Sequence, residues 1–354
     1  LHPSFVLPIF EGWSPGRRSS GQGVYLVSKK LAARVVVATL SGVVLTWLLL
    51  GGSAHEASLR IGQVRSVLAG TEPSRLWAAA ALYLLSVMLR AVRWSLVAHR
   101  SETGALRLLP VTSVHVGLGH VLPARLCDVV LVGLLRGLLG VRAAYGTAAV
   151  LLAKLMDLLV VGLVVALAVA DGSQSQVLPV AAAGILVCAL AGLVFLRRVI
   201  VLARRMTGGF ISKRPRLDRF VTDLAGAAGM WQERPWRTLA AAGVSIAIML
   251  SKLLMFVELV SAIHLFALPV WKIFFAGAVT DLIMALPIQG LFSLGVTEAG
   301  WAAGLSMVRV GGETAVVSGF SVHLLWMAMA VSLMLLSLPA LPLVMKERPT
   351  CQGP

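Results

Sequence analysis

Apolar residues in this chain come in runs too long for a soluble helix. Six runs approach or exceed the ~20 residues a helix needs to cross the bilayer hydrocarbon. They are Leu31–Gly51, Leu76–Val97, Ala144–Ala170, Val177–Leu196, Leu239–Phe266 and Thr314–Val344. The last two are long enough to tilt or project. Two more apolar stretches are interrupted. Leu108 to Leu139 breaks at His120-Val121-Leu122-Pro123-Ala124-Arg125-Leu126-Cys127-Asp128, and Ile273 to Val308 breaks at Leu286-Pro287-Ile288-Gln289-Gly290, with Glu298 following. Each is too short for two crossings, and each carries ionisable groups near its break. Irregular backbone survives at membrane depth only where protein buries it or a wet cavity borders it. Paired interruptions in two halves of a membrane protein point to a transport site. The pattern predicts an all-α, polytopic transmembrane helical bundle with two re-entrant helical hairpins of opposite orientation.

Charge placement orients the bundle. The segment 197–237 holds ten Lys and Arg residues and is expected in the cytoplasm. Walking outward from it puts both termini inside, provided that each hairpin returns to the side it entered. The first hairpin then enters from the cytoplasm and the second from outside, an arrangement that points to an inverted repeat. The walk predicts a cytoplasmic tail over 1–30, a transmembrane domain over 31–345 and a cytoplasmic tail over 346–354. Val35 to Gly51, followed by Gly52-Ser53-Ala54, has signal-peptide features, but its length and the tail before it favour an uncleaved anchor. His55–Ser74 reads as a short amphipathic helix on the outer surface, and Leu217–Trp231 as one on the cytoplasmic surface.

Ionisable residues inside apolar sequence cost several kcal/mol each and require partners or a function. Arg90 and Arg93 lie one turn apart before Trp94. They are either snorkelling arginines beside an interfacial tryptophan or a forked clamp for a lipid phosphate. Arg125 and Asp128 sit at the first break, as an internal pair or as substrate ligands. Lys154 and Asp157, three residues apart on one helix face, are expected to pair with each other. Lys252 and Glu258 are six apart, too far around a helix to pair. Their candidate partners are Arg125, Asp128 and Asp281. Glu298 either caps the returning helix of the second hairpin or gates substrate together with Gln289. Lys154, Asp157, Lys252, Glu258 and Asp281 are read as gating or charge-balancing groups.

Composition agrees with a membrane protein: of 354 residues, 58% are hydrophobic and 13% charged. The net charge of +16 sits in segments flanking the apolar runs, so anionic lipid headgroups explain it better than nucleic acid. Cys127, Cys188 and Cys351 form no metal or disulfide pattern, and no cofactor fingerprint is present. The longest polar segment, about 40 residues, is too small for a catalytic domain.

The ordered set Arg90-Ala91-Val92-Arg93-Trp94, Leu122-Pro123-Ala124-Arg125-Leu126-Cys127-Asp128, Asp157, and Leu286-Pro287-Ile288-Gln289-Gly290 with Gly295 and Glu298 resembles the membrane domain of lysylphosphatidylglycerol synthases and their stand-alone, flippase-like relatives. The resemblance spans about Leu31 to Val344. Where that family usually has Asn, Gly and Glu, this chain has His120, Cys127 and Asp128. The resemblance implies movement of lipids or lipid-linked headgroups between leaflets of the plasma membrane. Arg90, Arg93, Arg125, Asp128, Gln289 and Glu298 would bind the headgroup of an anionic phospholipid or polyprenyl-phosphate-linked lipid. A membrane-associated transferase is a possible partner. No soluble synthase domain is expected, so the chain should not make lysyl lipid by itself; no enzymatic activity is expected, and no metal or cofactor motif appears. The alternatives are a membrane-embedded enzyme or a scaffold in lipid-phosphate or glycolipid synthesis.

Overall fold

The computed structural model describes residues 22–97, 104–123, 126–170, 177–208, 214–233, 235–265, 267–286 and 288–342. Arg125, Pro287 and both chain termini lie outside them. Among the described residues all regular structure is helical. The first helix, α1 (Gln22–Leu49), starts before the expected Leu31, so part of the 1–30 tail is helical. Gly51 and Gly52 take positive φ, and the chain turns by 85° into α2 (Ala54–Ala69). The Ser53 hydroxyl accepts from the Glu56 N–H at α2's first turn, at 3.2 Å.

The long helices that follow are α3 (Pro73–Val97), α6 (Ala143–Ala170), α7 (Val177–Met206), α9 (Pro235–Ala262) and α12 (Gly312–Ser337). Each contains a stretch long and apolar enough to cross a membrane. α7 carries Arg197, Arg198, Arg204 and Arg205 on its last turns. The basic segment is therefore largely helix rather than loop, and it continues into α8 (Pro215–Glu233). α8 docks on α6 and α7 through Ala225, Ala227 and Ala228, and Asp218 binds Arg204 through two bonds of 2.9 and 3.0 Å.

Each interrupted stretch forms a pair of short helices. The first is α4 (Ala105–Val121) with α5 (Leu126–Leu139), and the second is α10 (Val270–Met284) with α11 (Val296–Met307). At 1.5 Å per residue they reach about 25, 21, 22 and 18 Å, short of the ~30 Å hydrocarbon core. The second break runs beyond Gly290 to Gly295. It contains a 3₁₀ turn at Leu291–Ser293 in which Phe292 and Ser293 take positive φ. α11 packs closely on α10 because Gly300 and Gly304 face the Cα atoms of Thr280 and Ala276, where an added Cβ would come within 3.0 and 2.7 Å.

The chain thus contains the same order twice: long helix, two short helices, long helix. α3 leads the first block and α9 the second. These two pack along each other and run antiparallel, since Arg75 near the start of α3 meets Glu258 near the end of α9 and Arg93 near the end of α3 meets Ser245 early in α9. Contacts between blocks are reciprocal: α4 lies on α12, and α10 lies on α6. Ionisable groups recur at matching places. Arg90 and Lys252 are each the eighteenth residue of their helix, and Asp128 and Glu298 each the third. Lys154 and His323 are each the twelfth.

Candidate functional site

Two polar clusters occupy the interior. The first lies between α3, α4, α5 and α6, around a cavity of about 20 Å³ lined by Arg90, Arg93, Trp94, His115, Asp128, Ala153, Lys154 and Asp157. Arg93, 2% exposed, donates through both terminal nitrogens to the two oxygens of Asp157, and to Ser245 Oγ at 3.0 Å. The Asp128 carboxylate meets the Lys154 ammonium at 3.4 Å and His115 Nε2 at 3.2 Å. The ion pair expected along α6 between Lys154 and Asp157 is therefore replaced by pairs across helices, which also neutralise the charges on α3 and α5. Arg90 Nε, Trp94 Nε1 and His115 Nδ1 are buried without partners among the described residues. Among the described residues three permanent cations face two carboxylates, a net positive set that suits an anion. The cavity itself has room for about one water, so a lipid headgroup requires the helices to part.

His115, Cys127 and Asp128 bring potential ligand atoms within 4.8 Å of one another, a grouping their sequence spacing does not reveal. The Lys154 ammonium occupies the same neighbourhood, and its charge opposes a divalent cation.

The second cluster lies between α4, α9, α10, α11 and α12. Lys252, 7% exposed, bonds Asp281, one of the candidate partners expected for Lys252 and Glu258, and stands 4.6 Å from the Trp326 ring centroid. Glu298 meets His323 at 2.7 Å. The carboxylate makes no cap at the start of α11, so its partner lies on a neighbouring helix. His120 stacks edge-on against Trp326, 4.4 Å between centroids.

The two tips touch, since Ser293 Oγ donates to the Gly119 carbonyl at 3.4 Å. The second tip also rests on the middle of α1, where Gly290 and Gly295 approach the carbonyls of Ala38 and Gly42. Arg90 stands within electrostatic range of both Asp157 and Asp281 and so links the clusters.

Not all expected site residues gather here. The Gln289 side-chain amide bonds the Met284 carbonyl and so ties down the end of α10 instead of facing the cavity. Glu258 pairs with Arg75 at 3.0 Å, away from both clusters. Asp128 and Glu298 fall in separate clusters because each sits at the same place in a different block. The expected position of Arg125 lies outside the described residues. The sequence reading passed over His323, although it is the only ionisable residue in the apolar run Thr314–Val344. An isolated ionisable group in such a run was the available signal.

Buried ion pairs across crossing helices, inside a shell of exposed Val and Leu side chains on α1, α7 and α9, define a polytopic helical membrane protein with a charged interior. The family model of the lysylphosphatidylglycerol synthase transmembrane region matches residues 31–333, and the chain belongs to that family. No curated protein and no solved structure matches it.

Proposed function

We propose that the protein translocates a lipid with a phosphate-bearing headgroup between the leaflets of the plasma membrane. The observation that carries this reading is the net-positive cluster of Arg90, Arg93 and Lys154 around a buried cavity, where a guanidinium fork suits a phosphate. The lipid tails would stay in the bilayer while the headgroup crosses beside α5. An anionic phospholipid and a polyprenyl phosphate share the recognised group.

The reading takes both short-helix pairs as re-entrant, the first from the cytoplasm and the second from outside, with both termini cytoplasmic. Antiparallel packing of α3 and α9 supports it. If α6 and α7 each cross once, the chain must come back to the side where α3 ended before α6 begins. Two full crossings or two dips would both do that, and lengths of about 25 and 21 Å, below the ~30 Å hydrocarbon, favour the dips. The contact of the second tip with mid-α1 supports a tip at mid-depth. Cysteines introduced at Leu106 and Met307 should react with an impermeant maleimide from opposite sides of intact vesicles. A cysteine at Leu122 should not react from the side opposite Leu106; reaction there would make the first pair two ordinary crossings.

Transport is tested in proteoliposomes containing a fluorescent anionic phospholipid or a fluorescent polyprenyl phosphate, scored by quencher accessibility. The protein should exchange at least one of the two, and Arg90→Ala should slow exchange about tenfold, the loss of roughly one charge-assisted contact. Unchanged exchange in Arg90→Ala would remove the cluster from the mechanism. Chemical turnover of the lipid by purified protein in detergent would favour an embedded enzyme instead.

A further inference from the structure

The carboxylates of the interior are not neutralised alike. Asp157 faces Arg93, Asp281 faces Lys252, and Asp128 faces Lys154, all permanent cations. Glu298 alone among them depends on a histidine. Its side chain and that of His323 are both fully buried, 2.7 Å apart, with no Lys or Arg paired to either among the described residues. The block relation sharpens the contrast. His323 stands at the position of α12 that Lys154 holds on α6, so the second block has a titratable base where the first has a fixed charge.

We propose that the Glu298–His323 pair is a proton-binding site that couples headgroup movement to proton transfer across the membrane; the coupling rests on the translocation reading, whereas the proton site does not. With one proton on the Oε1–Nδ1 bridge and a second on His323 Nε2 the pair is neutral. With only one of the two, the pair carries a net negative charge at a fully buried site with no Lys or Arg paired to it among the described residues, a state that burial disfavours. Loss of the proton to water therefore accompanies opening of this region, and rebinding accompanies its closure, which ties the charge state to conformation. The proton arrives from water at one face and leaves to water at the other, so no further reactant is needed. Two atoms are placed to pass it on. Glu298 Oε2 and His323 Nε2 have no partner among the described residues, nor do the nearby Nδ1 of His120 and Nε1 of Trp326. Beside His323 and Trp326 is a cavity of about 10 Å³, near the size of one water.

The charged surroundings are compatible with this titration. His120 on α4 faces the pair with its ring centroid 6.1 Å from that of His323. Lys252 on α9 and Asp281 on α10 are close but bind each other. Arg90 on α3 and Lys252 lie within electrostatic range of His120. α2 meets α12 at Gln63 and Glu313, about 15 Å along the helix from His323. The described side chains of α1 and of the 3₁₀ turn include no ionisable group.

The experiment has two arms on the full-length protein. Infrared difference spectra recorded in detergent as the pH is varied should show a band from a single buried carboxyl group gaining or losing its proton. That band should vanish in Glu298→Gln and shift its midpoint in His323→Gln. Absence of the band in folded wild-type protein overturns the site, whether or not lipid moves. In vesicles holding a pH-sensitive dye, addition of the fluorescent anionic phospholipid or polyprenyl phosphate should drive proton flux, and Glu298→Gln should reduce that flux about tenfold. Lipid movement with no proton flux overturns the coupling and leaves translocation standing. Absence of any lipid movement overturns translocation, and the infrared arm still decides the proton site. Variants are compared only where they elute as a single species.

Discussion

Arg93→Ala is expected to stop lipid exchange and to lower stability by about 3 kcal/mol. The guanidinium is 2% exposed and bridges Asp157 on α6 to Ser245 on α9. Without it, the carboxylate and the hydroxyl lose their shared donor, and α3 loses its polar link to both neighbours. Removing one member of a buried pair typically costs about 3–5 kcal/mol. The lower end applies because the Asp157 side chain keeps 31% exposure, and because Arg90 and Lys154 remain close. Thermal unfolding in detergent gives the first readout. The double variant Arg93→Met with Asp157→Leu should regain most of the lost stability, since a volume-matched apolar pair leaves no stranded charge. On the translocation reading it should not regain exchange, because the cluster has lost one of its three cations. Recovery of exchange in the double variant would reduce Arg93 to a structural role. Arg93→Lys should fall between, as one ammonium cannot serve Asp157 and Ser245 in the same fork geometry.

Helix positions were legible in the sequence because the physics that sets them is local. Pro123, Gly290 and Gly295 interrupt apolar runs, and a helix ends where its run is broken. The partners were less legible. Lys154 can reach Asp157 along its own helix, yet it meets Asp128 because α5 packs on α6 and brings a second carboxylate within reach. Nothing in the spacing of two residues on one helix reveals what a neighbouring helix presents. Lys252 was different: with no intrahelical partner, it required an acid elsewhere, and Asp281 was one of the two acids among the candidates. The correspondence between blocks was also hidden. It pairs arginine with lysine and lysine with histidine, so sequence identity is lost while position along the helix is kept. Gln289 looked like a ligand because it is polar at a break, but a break leaves backbone carbonyls unsatisfied, and the nearest amide serves them first.

Gly295→Ala should be as damaging as loss of Arg93, although it removes no interaction. Gly295 has φ +79° and ψ −44°, a conformation that L side chains resist by about 1–2 kcal/mol. Its added Cβ would also lie 2.3 Å from the Gly42 carbonyl oxygen and 3.0 Å from the Thr46 amide. Both are backbone atoms of α1, so no rotamer change relieves the contact. Restoring an ordinary separation moves α1 and the second tip apart by about 1 Å, and overpacking of this kind costs about 1–3 kcal/mol more. The expected total is about 3 kcal/mol, read from the unfolding midpoint. Gly243→Ala is the contrast. It lies inside α9 with nothing within 4 Å of the added atom, and improved helix propensity should stabilise it by up to about 1 kcal/mol. The displacement at Gly295 reaches the interior charges because Glu298 follows one helical turn later, in the first turn of α11. A shift of about 1 Å at the turn would stretch its 2.7 Å contact with His323 and the touch between Ser293 and Gly119. Gly295→Ala should therefore weaken exchange even at temperatures where it remains folded, whereas Gly243→Ala should not. Equal exchange in the two variants would mean that the seating of the second tip on α1 has no part in moving lipid.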